Sequence, residues 1–285
     1  MPQSLRIVSA PQDLRAAVAD ARRAGKRIGV VTTMGALHAG HLSLVEACCR
    51  ECDFTVVTMF VNPTQFGPGE DFRRYPRTMD KDLELLAAYP VDLVFAPELE
   101  TMYPPGSATV IDVGPIAAVW EGAHRPGHFQ GVATVVLKLL NLVAPDVACF
   151  GQKDFQQTLV VRQMVRDLDV PVQIRVCPTV REPDGLAMSS RNAYLSPAER
   201  RQALVLSRSL RLAEELVAGG ERQANEILRQ VRELLSTEPA VAVQYLTIAD
   251  PQTLQPVDQI GAGAVALIAA RVGATRLIDN VLLTP

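Results

Sequence analysis

The chain has 285 residues, 48% of them hydrophobic and 21% charged, with a net charge of −3. That length supports a large buried core and two domains, and the composition is globular rather than disordered. A net negative chain offers no general attraction to nucleic acid or anionic membranes, so any anionic ligand must be held by local positive groups.

The opening residues, MPQSLRIVSAPQDL, lack the basic start and apolar run of a signal peptide. The most apolar stretch, 132–144, is too short to span a bilayer and carries Lys138. These features predict a soluble, cytoplasmic protein with no membrane partner. Five cysteines, at 48, 49, 52, 149 and 177, are an odd number and argue against a disulfide framework. Cys48, Cys49 and Cys52, with His41 nearby, raise zinc as an alternative. Against it, there is no second CxxC pair, and adjacent helical cysteines point in different directions.

In chain order, short runs rich in Val, Ile and Phe at 28–33, 54–61, 93–96, 147–150 and 172–176 read as buried strands. Helical patterns fill the intervals at 42–51, 79–89, 132–142 and 156–168. The alternation predicts βαβ units with right-handed crossovers around a parallel sheet, an α/β fold of Rossmann-like form. Pro178 and the REPDG segment at 181–185 interrupt this pattern. Ser196-Pro197-Ala198-Glu199 is a capping box with proline at the first helical position, opening a helix to about Gly219. A second helix over 221–235 and β-rich runs at 241–248, 264–270 and 275–282 predict a smaller α+β domain with antiparallel strands. The division is therefore 1–178 and 179–285.

The sharpest local signal is Met34-Gly35-Ala36-Leu37-His38-Ala39-Gly40-His41, after the first strong strand and at the start of a helix. Gly35 and Gly40 let the backbone turn sharply and approach a ligand closely. A helix N-terminus with its unpaired N–H groups suits a phosphate, and His38 and His41 can donate to the same phosphate chain from one face. The carboxyl end of a parallel strand is where such sheets bind ligands. Metal ligation or plain surface exposure are the alternatives for an HxxH pair. The loop is neither a Walker A loop nor a GxGxxG turn. Gly261-Ala262-Gly263-Ala264-Val265-Ala266 fits GxGxxA literally, but no strand precedes it and no helix follows, so it reads as a turn.

Gly151-Gln152-Lys153-Asp154 also follows a strand and precedes a helix; Lys153 can neutralise phosphate charge and Asp154 can accept from ribose hydroxyls. Met188-Ser189-Ser190-Arg191 adds two hydroxyls and a guanidinium that suit a triphosphate. All four histidines fall into two clusters, 38/41 and 124/128, the second inside the polar segment His124–Gly131 ahead of an apolar helix. Asn62 and Gln65, in FVNPTQF at 60–66, present amides at a strand end, where they orient a substrate without changing its ionisation.

The HxGH element with a later Met-Ser-Ser-Arg resembles the nucleotidylyltransferase superfamily. FVNPTQF, YPRT (75–78), MYP (102–104), RPGHFQGV (125–132), GQKDFQQ (151–157), DGLAMSSRN (184–192) and TRLIDN (275–280) are similar to those of the pantothenate synthetase family specifically. The resemblance runs from about residue 28 to 280. It implies a Rossmann-like domain with a C-terminal lid, a homodimer, and Mg-ATP as substrate with pantoate and β-alanine, joined through a pantoyl-adenylate. It assigns ATP contacts to Met34–His41, Gly151–Asp154, Val180 and Met188–Arg191, and the catalytic roles to His41 as proton donor, His38, Lys153 and Arg191. Gln65 and Gln157 would hold pantoate, Gln65 also lying near β-alanine. Two departures stand out. Thr32 replaces the proline that often precedes Thr-Met-Gly, and Met79-Asp80-Lys81-Asp82 replaces the consecutive aspartates that some members carry, so magnesium is expected on ATP rather than on a protein site. The rival readings are a nucleotidyltransferase acting on a phosphate acceptor, which would offer cations where Gln65 and Gln157 stand, and a non-catalytic nucleotide-binding module.

Overall fold

The computed structural model describes residues 5–285. The chain divides into two compact units: one holds the residues up to Ala118, Arg125–Gly151 and Gln157–Pro178, the other Val119–His124, Gln152–Gln156 and Thr179–Pro285.

The first unit is built on β1 (Arg6–Val8), β2 (Ile28–Thr33), β3 (Phe54–Met59), β4 (Leu93–Phe95), β5 (Val147–Gly151) and β6 (Gln173–Cys177). They form one sheet in the order β1-β4-β3-β2-β5-β6 with every pairing parallel. Its helices are α1 (Pro11–Arg23), α2 (Ala39–Glu51), α3 (Met79–Leu86), α4 (Leu99–Met102), α6 (His128–Val143) and most of α7 (Phe155–Asp167); α5 (Glu121–His124) groups with the second unit. Successive strand residues point to opposite faces, and both faces are covered. Val30, Val56, Phe95 and Phe150 pack with Leu14 of α1, Phe129 and Leu140 of α6 and Met164 of α7. Their neighbours Val31, Val57, Val94 and Cys149 pack with Leu44, Val45 and Cys48 of α2 and Leu86 of α3. The continuous apolar runs in the sequence are thus two interleaved half-runs, one for each layer.

The predicted strands and helices are present, with shifted ends. The run at 54–61 leaves the sheet after Met59, where Pro63 opens a 3-10 turn over Pro63–Gln65. The helix predicted over 132–142 begins earlier, at His128, because Gly127 adopts a left-handed φ of 80° and turns the chain into it. β1 and α1 are additions: the strand has three residues, and α1 starts from Ala10 with no side-chain cap.

The second unit pairs α8 (Pro197–Ala218) and α9 (Ala224–Leu235) with an antiparallel sheet in the order β7 (Val241–Ala249), β8 (Ala264–Val272), β9 (Thr275–Leu283). The Ser196–Glu199 capping box is formed in both directions. Leu206 and Leu210 of α8 and Ile227 and Val231 of α9 pack on Ala266, Ile268 and Ala270 of β8. Gly261–Gly263 is a bend leading into β8.

Two short excursions of the chain join this unit through polar contacts. Arg276 donates to both carboxylate oxygens of Glu121 at 2.6 and 2.7 Å, and Tyr245 donates to Glu121 at 3.1 Å. Trp120 Nε1 donates to the Leu254 carbonyl at 2.9 Å. Gln156 accepts from the Glu121 N–H and donates to the Val119 carbonyl, linking the two excursions. A contiguous division at 178 places both excursions in the first domain; the buried Glu121 ties the first to the second unit, and Asn280 of β9 ties the second through the Gln152 and Lys153 carbonyls. Removing one partner of a buried ion pair strands the other charge. Arg276→Ala is therefore expected to lose about 3–5 kcal/mol of stability, read as a lower denaturant midpoint; an unchanged midpoint would show that the pair holds nothing.

Candidate active site

β2 ends in the 34–41 segment, and its sheet neighbour β5 ends at Gly151. Gly35 and Ala36 both take left-handed backbone, with φ of 77° and 51°. For a non-glycine residue that conformation costs about 1–3 kcal/mol and must be held in place. Asp82, on α3 and only 1% exposed, does the holding. Its carboxylate accepts from the Ala36 N–H and from the Leu37 N–H, each at 2.8 Å, and from Thr78 Oγ1 at 3.1 Å. On the other side, Thr33 Oγ1 accepts from the Gly35 N–H at 3.1 Å.

His38 is the N-cap of α2, and its Nδ1 accepts from the Gly40 N–H at 3.1 Å. An accepting Nδ1 leaves the neutral ring's proton on Nε2, so Nε2 is a donor. The rings of His38 and His41 lie 4.1 Å apart between centroids. The first turn of α2 carries no acidic residue. Two imidazoles at a helix N-terminus behind a left-handed loop form a cradle suited to a phosphate. A cavity of about 400 Å³ opens beside Met34 and Gly35, bounded by Phe60, Val61, Arg77 and Asp82.

The amide pair sits next to this loop. Gln65 Nε2 donates to Met34 Sδ at 3.1 Å, and its Oε1 accepts from Asn62 Nδ2 at 3.2 Å. Asn62 is 1% exposed; it also donates to the Gly131 carbonyl and accepts from Thr64 and Tyr103. The Gln65 carbonyl accepts from His128 Nδ1 at 2.8 Å and from Arg125 at 3.2 Å. Arg125 in turn forks onto both oxygens of Glu70 at 2.7 and 2.6 Å. Burial pushes the Glu70 carboxyl up, but the hydrogen bonds and charge of Arg125 outweigh it and hold the group below its ordinary range. α6 approaches so closely that a Cβ on Gly131 would lie 2.3 Å from the Thr64 carbonyl oxygen. Gln157 stands half-buried on the first turn of α7.

In the second unit, Gln152–Asp154 form a 3-10 turn, and Lys153 lies 3.9 Å from Asp154 with its side chain 20% exposed. The 180–191 segment is a closed loop. Met188 N–H donates to the Val180 carbonyl, Arg181 bridges Ala187, and Ser189 Oγ caps the next 3-10 turn by accepting from the Arg191 N–H at 3.2 Å. Asn192, behind it, donates to Glu182 and to the Ala187 carbonyl. Arg181 makes two hydrogen bonds to Asp279, at 2.6 and 3.1 Å.

The chain matches the family pattern described as pantoate-beta-alanine ligase over residues 6–282. The chain belongs to that family. It is 53% identical over 279 residues to the pantothenate synthetase of Roseiflexus castenholzii, covering 98% of this chain and 99% of that one. A crystal structure of pantothenate synthetase from Thermus thermophilus superposes with a TM-score of 0.94 at 52% identity, over 99% of this chain and 100% of that one. The pantoate-beta-alanine ligase of Francisella tularensis, crystallised with beta-gamma ATP and β-alanine, superposes at 0.80 with 33% identity, over 98% and 97% of the two chains.

Within this ligase fold the motif residues fall into three tight groups: the 34–41 loop with Asn62 and Gln65, the 152–154 turn, and the 180–191 loop. Of the residues that shape them, Asp82 lies in no motif, while Asn62, His128, Asn192 and Asn280 lie inside motif strings that do not show what they grip. Asp82 reads in sequence as an ordinary first-turn acid, and His128, a member of the second histidine cluster, is spent on a backbone carbonyl. His124, its partner in the sequence cluster, instead lies against Tyr245 in the second unit, with ring centroids 5.5 Å apart. Among the described residues, no group of three or more His, Cys, Asp or Glu is arranged to hold a metal ion, and no helix is long and apolar enough to cross a membrane. Gly131→Ala is expected to cost about 1–3 kcal/mol through overpacking against the Thr64 backbone. A thermal melt checks this; an undisturbed midpoint would mean that α6 and the 62–65 turn can move apart freely.

Proposed function

We propose that this chain condenses pantoate with β-alanine at the expense of ATP, giving pantothenate, AMP and pyrophosphate. The observation that carries the reading is the 34–41 turn: a left-handed loop clamped by a buried carboxylate and followed by two histidines at a helix N-terminus. Membership of the ligase family and the ATP-type and β-alanine ligands of the Francisella relative support the choice of substrates.

In the first step a pantoate carboxylate oxygen attacks the α-phosphorus, and pyrophosphate leaves. Charge builds on phosphoryl oxygens, so preorganised donors carry the catalysis. His38, His41, Lys153, Ser189, Ser190, Arg191 and the N-terminus of α2 take that role, with His41 as proton donor. Gly151, Gln152 and Asp154, with Val180 and Met188, contact the rest of the nucleotide. Gln65 and Gln157 hold pantoate, and Asn62 fixes the Gln65 amide. In the second step the neutral amine of β-alanine attacks the acyl carbonyl, the C–N bond forms, and AMP leaves with the bonding pair of the acyl–oxygen bond. The nitrogen, positively charged once the C–N bond forms, loses its extra proton to water.

Magnesium fits best as a companion of the triphosphate. Asp82, the buried acid of its helix, is committed to the Ala36 and Leu37 N–H groups, and magnesium keeps its waters readily while binding phosphate oxygens. We also propose a cytoplasmic homodimer, on family resemblance.

AMP formation should require ATP, pantoate and β-alanine together, whereas pyrophosphate release in a single turnover should need only the first two. Lys153→Ala should slow that release on the order of a hundredfold, the usual loss of one transition-state donor. Equal release by the variant would remove Lys153 from the mechanism. A stable dinucleotide product, or ATP binding without any pyrophosphate, would overturn the ligase reading itself.

A further inference from the structure

The TRLIDN strip on β9 is a motif to which the reaction assigns no role, yet its Arg276, Asp279 and Asn280 are all committed to polar contacts. Arg276 holds Glu121, Asp279 holds Arg181, and Asn280, 2% exposed, reaches the turn that bears Lys153. Asn280 Nδ2 donates to two consecutive backbone carbonyls, Gln152 at 3.0 Å and Lys153 at 2.9 Å. Its Oδ1 accepts from Gln152 Nε2 at 3.5 Å. The Asn280 N–H is itself fixed by Asp279 Oδ1 at 2.8 Å.

We infer that Asn280 is a positioning residue for Lys153: one side-chain amide sets the backbone from which the lysine projects. The inference rests on the reading that Lys153 meets the phosphates. A lysine side chain has four rotatable bonds, and among the described residues the ammonium of Lys153 has a 3.9 Å ion pair with Asp154 as its polar contact, too long a contact to fix its direction. Its Cα position and direction are what the protein can control. Two donated hydrogen bonds to adjacent carbonyls, one of them the lysine's own, remove rotation about that short segment. An amide is the side chain that fits this job. It presents two donors from one nitrogen to the paired carbonyls while its oxygen receives the Gln152 amide. A carboxylate of the same size would face both carbonyls with lone pairs.

The test is a double-mutant cycle over wild type, Asn280→Ala, Lys153→Ala and the double variant, reading pyrophosphate release from ATP and pantoate in a single turnover. Asn280→Ala alone should slow release on the order of a hundredfold, the scale expected for misplacing a catalytic group by about 1 Å. In the Lys153→Ala background the same change should add less than about twofold, because the group it positions is gone. Losses that multiply, or an Asn280→Ala enzyme as fast as wild type, would overturn the positioning role. If Asn280→Ala does not fold, Asn280→Asp preserves the packing volume and carries the same cycle. A Lys153→Ala enzyme as fast as wild type refutes the phosphate role of the lysine and takes this inference with it. Multiplying losses with a slow Lys153→Ala enzyme refute the inference alone.

Discussion

The carboxylate of Asp82 is the constraint on which the 34–41 turn depends. Its two oxygens receive the N–H groups of Ala36 and Leu37, and so hold an alanine in the left-handed region that alanine avoids. A hydrogen bond to a charged group contributes about 1.5–3 kcal/mol, so two of them exceed the roughly 1–3 kcal/mol cost of that conformation. The clamp settles where the chain leaves β2 and enters α2. Everything built on that helix start follows: the His38 cap, the tautomer of its ring, and the stacking of His41 beside it.

The same logic recurs at each group of motif residues. A buried polar side chain ties down a loop, from far along the chain for Asp82, His128 and Asn280 and from close by for Asn62 and Asn192, and the loop then presents the motif side chain. Asn62 and His128 grip the Gln65 turn, Asn192 grips the loop that carries Met188, and Asn280 grips the turn that carries Lys153. Phosphate chemistry asks for donors fixed before the transition state forms. In the proposed reaction, loops tied down at their carbonyls and N–H groups meet that demand without filling the site with extra side chains.

How much of this was legible in the sequence follows from the range of the interactions. β2 through β6 could be read because a strand covered on both faces writes a continuous apolar run, and α8 because its capping box is local. β1 is three residues long and α1 lacks a side-chain cap, so neither leaves a local mark. The HxGH turn was visible because glycine, histidine and strand end are adjacent in the chain. Asp82, 46 residues after Ala36, and Asn280, 127 after Lys153, were not, since a single polar residue gives no sign of which distant backbone it meets. The 119–124 and 152–156 excursions were hidden for the same reason. What ties the first to the second unit is Glu121 meeting Arg276 across 155 positions, and what ties the second is Asn280.

The most direct measurement is ATP affinity by titration calorimetry for wild type and Asp82→Asn. The substitution keeps the size of the side chain and removes one acceptor and the charge from beneath the turn. Weakening on the order of tenfold or more is expected from the loss of a charge-assisted hydrogen bond, in a protein whose circular dichroism is unaltered. Wild-type ATP affinity in that variant would contradict the view that the Asp82 clamp makes the phosphate cradle.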